Sequence, residues 1–379
     1  MMKQGMVRAV FVGAMVIAMV VGLRAGAGAA LSTTGVPIMD LGPGVAHDIN
    51  NRNQVVGTLV TGGGDRHAFL WQNNQMQDLD SRVGGTSFAQ AINYSGQVVG
   101  GRASGAEMQA YLWKPDGATQ NLGKLRTTDT WSFAWDINSS GQVVGYSGSG
   151  TWSIANNGFS PISTTFSAFL WDPVTQAMRE LTNMAPNSIA YGINDAGDVV
   201  GTMFLGAGSR GFLWENNGNI TDLGSLNNTW SNGYDINNHR QIAGTSGYGG
   251  GSAGFLWENG TKYIMPQGGN ANAQGINDEG AVVGLYASSS PDSHAYVGGV
   301  SDGQGYVSDL GTFQDGTHNI GYGTYADAIN DLYTVVGSAE RNGVQHATLW
   351  NPVPEPSSLF ALGSGLFGFI GFLSRRRMK

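Results

Sequence analysis

One block recurs seven times along this chain, and a chain that repeats a unit must bury that unit's apolar face against its own neighbours. The block is best written Ala-x-x-Ile-Asn-x-x-Gly-Gln-Val-Val-Gly. Its Ile-Asn pairs are Ile49-Asn50, Ile92-Asn93, Ile137-Asn138, Ile193-Asn194, Ile236-Asn237, Ile276-Asn277 and Ile329-Asn330, at successive spacings of 43, 45, 56, 43, 40 and 53. An aromatic segment follows each copy: His67-Ala-Phe-Leu-Trp71, Gln109-Ala-Tyr-Leu-Trp113, Ser167-Ala-Phe-Leu-Trp171, Arg210-Gly-Phe-Leu-Trp214, Ala253-Gly-Phe-Leu-Trp257, His294-Ala-Tyr-Val-Gly298 and His346-Ala-Thr-Leu-Trp350. The sixth copy has Gly298 where the other six have tryptophan, which puts the packing of that unit in doubt.

Each unit reads as four short strands. The Ile-Asn segment joins Gln-Val-Val through a turn such as Asn138-Ser-Ser-Gly141, whose glycine tolerates the left-handed backbone that a hairpin requires. Valine, phenylalanine and tryptophan in the next two runs favour strands. The fourth run is of Asp-Leu-Gly type, as in Asp222-Leu223-Gly224 and Asp309-Leu310-Gly311, reached through turns such as Asn216-Asn217-Gly218. Four strands in 40–56 residues is the blade of a β-propeller, so an all-β, seven-bladed propeller is expected over residues 36–352. The seventh copy stops at Trp350 without a fourth strand, while an unpartnered copy of that strand, Ile38-Met39-Asp40-Leu41-Gly42, precedes the first block. The N-terminal strand is therefore expected to close the last blade and remove an exposed edge. A β-solenoid is the alternative architecture, although it has no reason to split a repeat between its two ends. These copies resemble the extracellular HAF repeat family, named for its His-Ala-Phe, over about residues 38–350.

The two ends carry different signals. Lys3 and Arg8 precede an apolar run from Ala9 to Leu23, and small residues follow Arg24, so residues 1–29 read as a secretory signal peptide. A fifteen-residue helix reaches only about 22 Å, short of the roughly 30 Å hydrocarbon core of a membrane. At the other end Pro354-Glu355-Pro356 leads into an apolar run from Leu359 to Leu373 and then Arg375-Arg376-Arg377. Basic residues after a short apolar span keep that tail in the cytoplasm and leave the body outside. This order resembles the PEP-CTERM sorting signal, here assigned to residues 353–379 with its short transmembrane segment. The resemblance implies recognition and removal of the tail by an exosortase, after signal peptidase has acted at the front. Membrane association through the tail is then transient, and the mature protein belongs to the cell surface or extracellular matrix. Both processed ends meet at the closing blade, so the tail is expected to hold the ring there.

Hydrophobic residues make up 41% of the 379 positions and charged residues 12%, enough to bury a full core and too little charge for disorder. There is no cysteine, which removes disulfides, thiolate zinc sites and cysteine nucleophiles from consideration. Seven of the 19 basic residues and one of the 27 acidic ones lie in residues 1–29 and 354–379, which leaves 12 against 26, a net −14, on the body. That balance disfavours a nucleic-acid partner, since neutralising phosphates needs a basic face.

Candidate binding residues lie on the connections that vary in length, residues 146–166 and 312–325, because insertions on one face of a repeat protein often mark its binding surface. Trp152, Phe159, Phe313, His318 and Tyr322 are the side chains there that suit a sugar, by stacking on its apolar face or bonding its hydroxyls. The repeated His67, His294 and His346 occupy one repeat position and so fall on three different blades, which argues against a shared metal and for structure. The recurrent Asn and Asp read as turn caps or partners of backbone groups. Asn194-Asp195 and Asn277-Asp278 begin stretches that lack the full spacing of a calcium loop. Gly250-Gly251-Ser252-Ala253-Gly254 matches a nucleophile elbow only formally, with no helix after it. No catalytic residue, metal or cofactor is assigned. The expected function is a non-enzymatic binding or structural module linked to exopolysaccharide or a surface protein. The alternative is a carbohydrate-active hydrolase or lyase on the same scaffold, which requires acidic side chains to converge in the central channel.

Overall fold

In a computed structural model the described residues are 29–31 and 36–350, apart from 82–84, 106, 156–157, 182–186, 207, 266–269, 288–292, 312–322 and 342. The expected signal peptide up to residue 28, the apolar run 359–373 and the Pro-Glu-Pro and arginine elements lie outside them. Among the described residues every element is a strand, and no helix is long and apolar enough to cross a membrane. Five antiparallel sheets have four strands each, running outward in sequence order. Their first strands are Ser87–Ile92, Trp131–Ile137, Ser188–Ile193, Ser231–Ile236 and Ala271–Ile276.

The remaining strands form one larger sheet because Pro37–Ile49 serves two sets of partners. Its first half pairs with Val344–Trp350, with Ile38 opposite Trp350 and Pro43 opposite His346. Its second half pairs with Val55–Val60, with Gly44 opposite Leu59 and Ile49 opposite Val55. The first repeat thus takes its first strand from residues 44–49, and the seventh takes its missing fourth strand from residues 38–43, as the split repeat in the sequence requires. Asp40 locks this seam: its Oδ1 meets His346 Nδ1 at 2.8 Å and accepts the Gly42 N–H at 2.8 Å, and its Oδ2 accepts from Arg341. A short strand, Ala29–Leu31, adds to Pro37–Met39 at this same sheet.

The core lies between adjacent sheets. One apolar cluster joins Val99 and Leu112 of the second unit to Val143, Phe169 and Trp171 of the third. Another joins Ala46, Val55 and Phe69 of the first unit to Val336, Ala347 and Leu349 of the seventh. The sixth unit remains regular despite Gly298, which pairs with Val282 as Trp113 pairs with Val98. Its third and fourth strands are long, and the Tyr306 hydroxyl comes within 2.8 Å of where a Gly299 Cβ would stand, so a tyrosine covers the glycine pair.

The asparagine of each Ile-Asn pair is buried and does two jobs. Its Oδ1 accepts the backbone N–H four residues later, at 2.8–3.1 Å, which closes the first turn of the unit. Its Nδ2 donates to the backbone carbonyl of the next asparagine: Asn50 to Asn93, Asn93 to Asn138, Asn138 to Asn194, Asn194 to Asn237, Asn237 to Asn277, Asn277 to Asn330 and Asn330 back to Asn50, at 2.9–3.3 Å. The fourth turn residue has positive φ in every unit, as a glycine in four and as Asn53, Arg240 and Tyr333 in the rest.

The first strands touch one another in sequence around the axis, and each carries the same irregularity. Pairing with the second strand slips by one residue two places before the isoleucine, a β-bulge that skips His47, Gln90, Trp135, Tyr191, Tyr234, Gln274 and Asp327 in turn. Opposite the bulge stands the glycine of Val-Val-Gly. A Cβ on Gly57, Gly100, Gly145, Gly201, Gly244, Gly284 or Gly337 would fall 1.9–2.3 Å from a first-strand carbonyl oxygen. Only glycine allows that approach.

Two stability predictions follow from these contacts. Gly145→Ala drives a Cβ into the Phe133 carbonyl and is expected to cost at least about 2 kcal/mol by urea denaturation, whereas Gly62→Ala, in open space, stays within about 0.5 kcal/mol. Ile38→Ala, 1% exposed in a cluster with Trp350, is expected to cost about 2–5 kcal/mol. A loss no larger than that of a frayed terminus would show that the N-terminal strand does not close the seam.

Candidate functional site

All seven bulge residues line one cavity of about 320 Å³ on the axis, together with Asp48, Ala91, Asp136, Asp235 and Ala328. A bulge releases its residue from the pleat's alternation, which is how one position per unit comes to face the axis. In order around the ring these are His47, Gln90, Trp135, Tyr191, Tyr234, Gln274 and Asp327. The order has a pole and an opposite arc. Trp135, Tyr191 and Tyr234 stand side by side, edge to face, with ring centroids 5.1 and 5.5 Å apart. One glutamine flanks the arc on each side, and His47 and Asp327 face it, with His47 Nδ1 and Asp327 Oδ2 3.9 Å apart. All seven side chains are half-buried, and Gln90, Gln274, Tyr191 and Asp327 make no hydrogen bond to a described residue.

The position after the bulge carries carboxylates of a different kind. Asp48 accepts the Ile49 and Ile92 N–H groups, both at 2.7 Å. Asp136 accepts those of Ile137 at 2.7 Å and Ile193 at 2.8 Å, and Asp235 those of Ile236 at 2.7 Å and Ile276 at 2.9 Å. Each therefore holds its own isoleucine with one bond and ties its unit to the next with the other. The seventh unit has Ala328 at this position and follows Gly275 in the sixth, so no carboxylate of this set reaches it.

Burial dominates the electrostatics. It pushes Asp48 up to about 7 against the pull of its two N–H donors, and Asp235 up to about 6. Asp136 is pushed well above the carboxylate range by burial and then by the charges of Asp235 and Asp48. Burial alone raises Asp327 to about 7 and lowers His47 to about 4. The pole is thus a neutral imidazole beside a carboxyl poised near neutrality. No lysine or arginine lines the cavity among the described residues. Nor do any three His, Asp or Glu side chains among them converge as metal ligands.

The positions singled out in the variable connections are placed differently. The described residues of 146–166 extend two strands, Val143–Ala155 and Gly158–Asp172. Trp152 pairs with Pro161 there and packs, half-buried, against the cluster of Phe88, Trp131 and Tyr146. Phe159 pairs through its backbone with Ile154, and its side chain lies outside the description, as do Phe313, His318 and Tyr322 altogether. The repeated histidines meet aspartates of their own sheets, His67 Nδ1 in a hydrogen bond to Asp78 at 2.8 Å and His294 Nδ1 at 3.1 Å from Asp309 without hydrogen-bond geometry. Asp78, Asp222 and Asp309 also accept the N–H two residues on, the turn-capping role expected of them. Ser252 sits in a strand and donates to the Ala271 carbonyl, with the geometry of a sheet residue rather than a nucleophile. Sequence reasoning passed over the channel because its residues are the two unspecified positions of Ala-x-x-Ile-Asn. The signal that could have found them is the glycine of Val-Val-Gly, since a glycine inside a strand marks a bulge or a close approach.

Comparison with known proteins places these features. Residues 352–377 match the PEP-CTERM protein-sorting motif, which indicates export and a surface or extracellular destination through C-terminal processing by exosortase-type machinery. No curated protein matches the chain in sequence. Among solved structures it is similar to an oligogalacturonate lyase in complex with manganese, at 12% identity and a TM-score of 0.58 over 86% of this chain and 96% of that one. It is also similar to the β-propeller domain of the trilobed protease from Pyrococcus furiosus, at 10% identity and a TM-score of 0.52 over 82% and 95% of the two chains. At such identities the likeness is one of fold, all-β and propeller-like.

The raised Asp327 sets a pH dependence. A carboxyl whose folded value lies above its unfolded one stabilises the protein at low pH, and that contribution is lost as pH rises from about 4 through about 7. His47 has the opposite sign, its contribution being lost as pH falls from 6.5 toward about 4, but it is common to wild type and Asp327→Asn. From pH 5 to pH 8 the wild type should therefore lose about 1–2 kcal/mol relative to Asp327→Asn, allowing for screening by channel water. Paired urea titrations measure the difference, and a flat difference would mean that Asp327 is not desolvated.

Proposed function

We propose that this chain is an exported seven-bladed β-propeller of four-stranded blades that binds a saccharide in its central channel without turning it over, at the cell surface or in an exopolysaccharide matrix. The asparagine cycle from Asn50 round to Asn330 and back supports a closed ring of seven over an open solenoid. The repeat's likeness to the extracellular HAF family and the sorting motif at residues 352–377 agree with that destination.

The observation that carries the binding reading is the composition of the channel wall. A sugar ring has one apolar face and a rim of hydroxyls, and it is held by an aromatic surface opposite hydrogen-bonding groups. Trp135, Tyr191 and Tyr234 offer the first, and Gln90, Gln274 and Asp327, whose side chains make no hydrogen bond to a described residue, offer the second. A cavity of about 320 Å³ lies at the lower end of ligand-sized pockets, enough for one or two sugar rings.

One observation favours the enzymatic alternative: Asp48 and Asp327, both poised at about 7, could exchange protons with a substrate near neutral pH. The two readings separate in one experiment. An array of exopolysaccharide fragments is incubated with the protein, and both retention and the appearance of new chain ends are measured. Retention without new ends, weakened at least about tenfold in Trp135→Ala, is the expected result. New ends that disappear in Asp327→Asn would replace the binding module with a hydrolase or lyase, and absence of retention in every case would remove the saccharide reading.

A further inference from the structure

The charge of the channel specifies its ligand more narrowly, an inference that rests on the saccharide reading above. We propose that the channel selects a positively charged amino sugar over its neutral and uronate counterparts, with Asp327 receiving the ammonium group.

Four carboxyl groups face the channel, and three are already engaged. Asp48, Asp136 and Asp235 each accept two backbone N–H groups and act as ties between units. Asp327 accepts none from a described residue and keeps 29% of its side chain exposed. Among the described residues its one charged or chargeable neighbour in contact range is His47, 3.9 Å away, which burial holds neutral near pH 7 and which therefore offers no balancing charge. Burial disfavours the ionised form of this carboxyl, and a cation placed beside it would favour that form. An ammonium group supplies that charge together with three hydrogen-bond donors.

The opposite wall favours the same ligand. The ring faces of Trp135, Tyr191 and Tyr234 are electron-rich and attract cations as well as apolar sugar faces. A neutral sugar could stack on that arc but would leave Asp327 uncompensated. A uronate would bring a further negative charge into a space that holds four carboxyl groups and, among the described lining residues, no lysine or arginine. Like charges brought together out of water repel strongly. The fold is shared with a lyase that acts on galacturonate chains, but the charge of this channel is suited to the opposite kind of sugar.

The test is calorimetric titration of the intact chain near pH 7 with three tetramers: glucosamine, N-acetylglucosamine and galacturonate. The glucosamine tetramer is expected to bind at least about tenfold more tightly than its acetylated counterpart, with galacturonate the weakest. In Asp327→Asn and Asp327→Ser, each checked for folding by thermal unfolding, the ratio between the amine and the acetylated form should fall to near one. Equal affinity for the two forms in the wild type would overturn the preference while leaving saccharide binding standing. A ratio that survives both substitutions would overturn the role of Asp327. No binding of any tetramer, with unchanged tryptophan fluorescence, would overturn this proposal and the saccharide reading together.

Discussion

The close approach of two strands at one glycine per unit is the constraint on which the rest of the molecule depends. Where Val-Val-Gly passes the first strand there is no room for a Cβ, and the first strand takes up an extra residue opposite it. That extra residue has no pairing partner in the ladder, and the isoleucine, alanine and valine around it fill the space between sheets; at Trp135 and Tyr191 its side chain also packs against the cluster of Phe133 and Tyr146. The backbone is thus fixed by a glycine while the residue type beside it differs from unit to unit. Across seven units this gives a scaffold that repeats and a channel that does not, with tryptophan, tyrosine, glutamine, histidine and aspartate all occupying one structural position.

The polar groups around the axis divide their work in a way that the number of units makes uneven. The asparagines act identically in all seven and form a complete cycle. The aspartates after the bulge act in pairs of units, first with second, third with fourth and fifth with sixth. Seven is odd, so one unit is left outside that scheme. It is the seventh, which has alanine at the tying position and places its carboxyl one residue earlier, at Asp327, facing the channel. The asymmetry of the site therefore coincides with the unit that the structural carboxylates do not serve, and it adjoins His47 across the seam.

Much of the fold was legible in the sequence because repeats expose their own boundaries. Trp350 ends a unit that lacks a strand, and Ile38 to Gly42 is a strand that lacks a unit, so the pairing of these two segments was legible, while its register of Ile38 opposite Trp350 was not. The Asp-Leu-Gly aspartates were legible as turn caps, because Asp78, Asp222 and Asp309 each accept the backbone N–H two residues on. The site was not legible for the complementary reason. Functional positions in a repeat are those that vary, and in a consensus they become blanks. Variation in loop length points outward to Trp152, which packs half-buried on a strand extension, while the variation between His47 and Asp327 disappears into two unspecified letters. The asparagine cycle was hidden as well, since a capping asparagine and a linking asparagine have the same local sequence.

The seam between Asp40 and His346 joins residues 306 positions apart, and it has a consequence for how the protein reaches its folded state. Pairing across so long a stretch of chain carries a large loop-closure cost and comes late relative to the local hairpins within each unit. A chain that emerges from its N-terminus presents residues 38–43 first, yet their partner Val344–Trp350 emerges almost last, directly before the sorting motif. For the whole of translocation that strand has an open edge of the kind that invites pairing with other chains. Completion of the ring thus becomes possible only as the sorting motif follows, which places the last folding event and the start of C-terminal processing at nearly the same moment and the same place.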